Sequence, residues 1–237
     1  MTLYDVIRDT HIAAGTIALA TFWTAATLRK GSSGHRIIGR TYLVSMAVIA
    51  ATGVYIALAA LMNGRTVFGS FLLYLVVIVV TPTWLGWRAV RDKRDVKVYT
   101  GPIFHALAWL NVAAGVTILA LGIAYDVWLF AALSAVALIT GPLMLRFARQ
   151  AKVDRQWWLQ RHYILMLGAG VGTHVAFLNL GLSHLISSDW ATTVQHASFG
   201  VPFVIFLIAR LWLDRKYGPR AGTKQRAYGE VVAGTSI

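Results

Sequence analysis

Long apolar runs, separated by short and mostly basic connections, set the rhythm of this chain. Runs near residues 11–28, 38–61, 67–87, 103–124, 127–145, 162–183 and 197–213 each approach or reach the ~17–25 residues that cross ~30 Å of hydrocarbon at ~1.5 Å per residue. The pattern predicts an all-α integral membrane bundle of about seven transmembrane helices. The connections are too short to hold further domains, so residues 1–216 read as one helical domain. Residues 217–237, "YGPRAGTKQRAYGEVVAGTSI", are Gly-rich and polar and read as a flexible tail. Tyr125–Asp126 marks a tight hairpin, and Ser183–His196 is the longest link on its side. Pro82, Pro142 and Pro202 fall inside predicted spans, where proline can kink a helix.

Composition sharpens this picture. The chain of 237 residues is 57% hydrophobic and 13% charged, about half the charge fraction of a soluble domain. Of its 22 lysines and arginines, all but Arg8 and Arg65 fall on alternate connections. The positive-inside rule then places the N-terminus outside and the C-terminus in the cytoplasm, with a bacterial inner membrane as the expected location. The net charge of +13 is thereby read as topology and contact with anionic lipids, with no nucleic acid implied. The first ten residues carry Asp5, Arg8 and Asp9 and lead to no obvious cleavage site, so the first span is expected to stay in the protein.

Two absences narrow the chemistry. The chain has no cysteine, which excludes disulfides, iron–sulfur clusters and thiolate metal sites and leaves histidine as the strong transition-metal ligand. No acid lies deep in a predicted span, and the only glutamate is Glu230 in the tail. Ion-coupled pumps rely on buried carboxylates, and paired-carboxylate hydrolysis needs two.

The histidines therefore carry the candidate chemistry. By the predicted topology His35, His105 and His162 lie at cytoplasmic ends of spans. His11, His184 and His196 lie near the outer boundary, and His174 lies on the outer half of the sixth span. This layout suits two cofactor or metal sites, one per leaflet: His11 with His174 outside, and two of His35, His105 and His162 inside. Gly15, Gly39 and Gly170 each lie one turn deeper than His11, His35 and His174, where a missing side chain leaves room for a flat macrocycle. Helix packing explains small residues equally well; Gly168 and Gly172 form such a pair with no histidine. His184 and His196 read more simply as interfacial residues. In "KGSSGHRIIGRTY", Ser32 or Ser33 can cap the second span. Arg36 and Arg40 can meet lipid headgroups or a fixed anion such as a haem propionate.

The stretch from His11 to Leu58 resembles the opening of a bacterial group of multi-pass membrane proteins, the domain of unknown function 2306 type. That group places a His near the start of the first span, then a basic loop with His-Arg-x-x-Gly-Arg. Here these are His11, His35, Arg36, Gly39 and Arg40. "QRHYILML" around His162 matches a later motif in part, departing from it at Tyr163. The resemblance adds weight to these positions and implies no reaction. The leading expectation is a b-type haem protein of electron transfer, with a redox partner or a larger complex in the membrane. The alternatives are a non-enzymatic subunit or carrier without cofactor, and a zinc hydrolase using His11, His105, His162 or His174.

Overall fold

The computed structural model describes residues 1–150, 153–181 and 188–217. All regular structure among them is helical: α1 (Leu3–Thr27), α2 (Ser33–Met62), α3 (Thr66–Arg91), the single turn α4 (Val96–Tyr99), α5 (Pro102–Ala124), α6 (Trp128–Ala148), α7 (Trp157–Ala176) and α8 (Ser188–Tyr217). A π-helical turn, Phe177–Gly181, extends α7. Each long helix overlaps one predicted apolar run. Four of them, α2, α3, α5 and α6, are long and apolar enough to cross a membrane. Their outer faces carry large apolar side chains, with Trp109 60% and Ile123 72% exposed, a surface suited to lipid rather than water.

The helix starts follow local chemistry. Thr2 and Asp5 form a reciprocal capping box at α1, which satisfies backbone N–H groups that have no intrahelical acceptor. The Ser32 hydroxyl accepts from the His35 N–H at 3.2 Å, so α2 begins earlier than its apolar run and takes Arg36 and Arg40 onto its first turns. Asp95 caps α4 through the N–H groups of Lys97 and Val98, and Pro102 occupies the first turn of α5, where its missing N–H costs nothing. Asp126, with φ of 53°, turns the chain between α5 and α6 as the hairpin expectation required. The predicted loop Ser183–His196 is shorter than expected, because α8 is already helical at Ser188; the Ser–Ser–Asp sequence there is a helix-start signal. Pro82, Pro142 and Pro202 sit inside continuous helices. The predicted tail, beyond Tyr217, lies outside the described residues.

The bundle is organised around α3, which packs on α2, α5 and α7. Contacts run in opposite directions along sequential long helices. On α1 and α2, His11 meets Thr52 while the Ala25 carbonyl meets His35. On α2 and α3, Gly53 lies against Val76 while Gly69 lies against Leu61. The α1–α2 connection, with Arg29 and Lys30, and the connection after α3, with Lys93 and Arg94, therefore share one end, the basic end. Three apolar cores result. One at the basic end joins Leu85, Tyr99, Phe104, Met144, Phe147 and Trp157. A second joins Tyr74, Ile118, Phe130 and Ala137, and a third joins Ala18, Tyr42 and Met46. Between the first two, Asn111 donates to Thr81 Oγ1 at 2.8 Å and to the Leu107 carbonyl, so both its N–H groups are satisfied in an apolar setting.

Glycine sets the closest approach, on α5 and α6. A Cβ at Gly141 would stand 2.6 Å from Val112 and 2.7 Å from the Ala108 carbonyl. Gly141→Val is expected to destabilise the protein by ~1–3 kcal/mol through overpacking. Gly168→Ala is expected to be neutral or stabilising, since a Cβ there meets nothing within 4 Å. Unfolding midpoints in detergent check both, and equal midpoints for the two variants would contradict this account of the α5–α6 contact.

Candidate functional site

The structure brings two of the candidate histidines together. His35 on α2 and His162 on α7 have ring centroids 6.5 Å apart, with planes at 84°. Each ring is pinned at Nδ1 by a backbone carbonyl of a third helix. His35 Nδ1 lies 3.1 Å from the Ala25 oxygen on α1, and His162 Nδ1 lies 2.9 Å from the Gly86 oxygen on α3. A carbonyl can only accept, so both protons sit on Nδ1 and both Nε2 atoms keep a lone pair. This is the tautomer of a metal-ligating histidine held by an outer partner. Four helices thus converge on two available nitrogens at the basic end.

Local sequence explains the arrangement. Gly86 lets α3 and α7 approach, since a Cβ there would meet Met166 at 2.7 Å, and this closeness delivers the Gly86 carbonyl to His162. The Ala25 oxygen lies in the last turn of α1, where carbonyls have no intrahelical donor. It accepts from Lys30 Nζ at 3.0 Å as well as from His35, and Lys30 also donates to the Ala26 oxygen at 2.6 Å. Burial lowers the pKa of Lys30, and the neighbouring Lys216 lowers it further. Arg36 donates to the Gly31 oxygen at 3.3 Å and Arg40 is exposed. Gly39, one turn along α2 from His35, has nothing within 4 Å of a built Cβ.

The other candidates lie apart from this pair. His105 is exposed on α5 and meets the Gly101 oxygen at 3.3 Å, at its own helix start. His11 Nδ1 meets Thr52 Oγ1 on α2 at 2.8 Å, and Gly15 opens onto free space. His174 uses both nitrogens: Nδ1 meets the Gly170 oxygen at 2.7 Å, and Nε2 accepts from the Trp23 indole N–H at 2.9 Å. The space freed by Gly170 is filled by the Phe22 ring. Trp23 is 12 residues from His11 on α1, ~18 Å along the axis, so the structure does not place His11 and His174 at one centre. His184 lies outside the described residues, and His196 lies on α8 outside the described side chains.

Several polar groups were not singled out in the sequence as candidates. Tyr163 donates to Asp214 on α8, and Asp214 also pairs with Arg210 at 3.5 Å. The Tyr42 hydroxyl is buried among α2, α3 and α7 and has no hydrogen-bond partner within normal geometry among the described residues. Among the described residues no group of three His, Cys, Asp or Glu side chains could hold a metal ion. Comparison with family models, curated proteins and solved structures finds no match to this chain.

Proposed function

We propose that this is a multi-pass membrane protein of about seven spans, with its basic end in the cytoplasm, that binds b-type haem through His35 and His162 and carries electrons. The observation behind the reading is the His35–His162 pair, with both Nδ1 atoms committed to carbonyls. The ring separation of 6.5 Å is short enough for both imidazoles to reach one metal ion at the ~2 Å of a metal–nitrogen bond. The perpendicular rings, the open space at Gly39 and the absence of competing thiolates suit the same group. Haem, when bound, would supply a one-electron iron couple, and His35 and His162 would hold it as an all-histidine ligand set, which favours electron transfer over oxygen chemistry.

The chain's own residues supply the rest. The Ala25 and Gly86 carbonyls hold the two rings in one tautomer and raise their basicity as ligands. Lys30 and Arg36, with Arg40 a turn further along α2, provide positive charge for acidic substituents at the rim. The apolar walls of α2, α3 and α7 exclude water from the ring faces. His11, Arg36, Arg40 and Gly39 are also among the positions on which the family resemblance rests.

An optical spectrum of the purified protein, oxidised and then reduced with dithionite, tests the reading. A Soret band and sharp reduced α and β bands are expected. A flat visible spectrum from protein expressed with ample haem would reject it and favour a cofactor-free subunit or carrier, in which these histidines serve helix packing.

A further inference from the structure

A second feature of the basic end lies outside the histidine pair. Arg161, one helical turn into α7, is half-buried with its guanidinium carbon 3.8 Å from the centre of the Phe147 ring. It makes no hydrogen bond and no ion pair within the described protein, so all five of its N–H donors are unused. Phe147 belongs to an aromatic box. Its ring lies 6.1 Å from Tyr99 and 6.0 Å from Trp157, and Tyr99 lies 4.9 Å from Trp157. Within that box Tyr99 is 1% exposed, and its hydroxyl has no hydrogen-bond partner among the described residues.

Unused donors in such a place are costly, because a buried hydroxyl without a partner has given up its hydration for nothing, and a partly buried charge without a counter-ion adds to this. The nearby cation Arg88 does not share the problem, since it is neutralised by Asp92 and donates to the Val98 carbonyl at 2.7 Å. Among the described residues one positive charge is therefore left over, on the Phe147 ring that also packs against Tyr99, a phenol that can only gain by donating. Burial raises the Tyr99 pKa, against the pull of Arg161 and Arg88, so the phenol keeps its proton at neutral pH. Lys93 projects over Trp158 at 5.4 Å, and Trp158 packs on the same box.

We propose that Arg161 and Tyr99 form a binding site for a singly charged oxyanion, a carboxylate or a phosphate ester. The guanidinium offers two parallel N–H donors to two oxygens, and the Tyr99 hydroxyl donates to the same group. Phe147 and Trp157 keep water out of these contacts, which strengthens them. The anion comes either from a lipid headgroup at this end of the bundle or from a free solute, and the chemistry of the site is the same for both. The site stands whether or not the histidine pair holds haem.

The test is thermal unfolding of the full chain, freed of native lipid in detergent. Three additions are compared: inorganic phosphate, acetate, and phosphatidylglycerol against phosphatidylcholine in mixed micelles. A saturable rise of several degrees at large excess is expected from at least one of them. Arg161→Gln weakens the apparent affinity at least tenfold. Tyr99→Phe weakens it roughly tenfold while leaving the ligand-free midpoint unchanged or higher, because it removes an unsatisfied hydroxyl and keeps the ring. Should Arg161→Gln fail to fold, Tyr99→Phe carries the test. A response to phosphate or acetate identifies a free anion, and a response to phosphatidylglycerol alone identifies a lipid. No saturable response to any of the three, or an equal response in wild type and the folded variants, overturns the proposal.

Discussion

If the protein binds haem as proposed, His162→Ala is expected to abolish the haem absorbance bands, and His35→Ala to do the same, whereas His105→Ala is expected to keep the full complement. The expectation follows from how each ring is held. His162 and His35 lie with ring centres 6.5 Å apart and with Nδ1 fixed by carbonyls on other helices. Among the described residues theirs is the histidine pair brought together with both Nε2 atoms free of a carbonyl. His105 is exposed and meets a carbonyl of its own helix start, with no second histidine opposite. Loss of an outer partner of a ligand already costs ~10–100-fold in metal affinity, so loss of the ligand itself costs at least as much. Free imidazole added to His162→Ala restores the bands if the ring acts as a ligand, and does nothing if its role is packing. Full haem retention in both alanine variants would reject the pairing.

The helices were largely legible in the sequence, and the site only in part. Apolar runs between basic connections locate every long helix, because the length of a span and the cost of burying charge act locally along the chain. The boundaries move where caps take over: Ser32 starts α2 before its apolar run. The ends of α7 and α8 likewise fall outside the most apolar residues. Pairing of histidines is a different kind of quantity, since it depends on helix register and neighbours. His35, His105 and His162 are equivalent by position in the chain. What distinguishes His162 is the approach of α7 to α3 at Gly86, and nothing in the spacing encodes it. His174 shows the converse. Its glycine one turn away suggested room for a macrocycle, and the Phe22 ring and Trp23 indole occupy that side instead. Arg161 reads in the sequence as one more topological cation. That no carboxylate among the described residues pairs with it becomes visible only in the structure, where it lies on the Phe147 ring beside Tyr99 and Trp157.

Asp92→Ala is expected to cost ~3–5 kcal/mol, the largest loss of stability from a single side chain at the basic end. Asp92 and Arg88 pair with side chains 7% and 12% exposed, so the alanine variant strands a guanidinium that water barely reaches. The Val98 carbonyl satisfies one of its five N–H groups and neutralises none of its charge. Asp95→Ala provides the comparison: it removes an exposed cap from α4 and is expected to cost only ~1 kcal/mol. The double variant Arg88→Met with Asp92→Leu is expected to recover most of the loss, because removing both charges avoids the desolvation that removing one exposes. Unfolding midpoints in detergent rank the three. A loss under ~1 kcal/mol in Asp92→Ala would mean that water reaches Arg88, and the dry box required for the Arg161–Tyr99 site would fail with it. If the loss is large, added oxyanion narrows it, since Asp92→Ala leaves a second unneutralised guanidinium beside the same phenol.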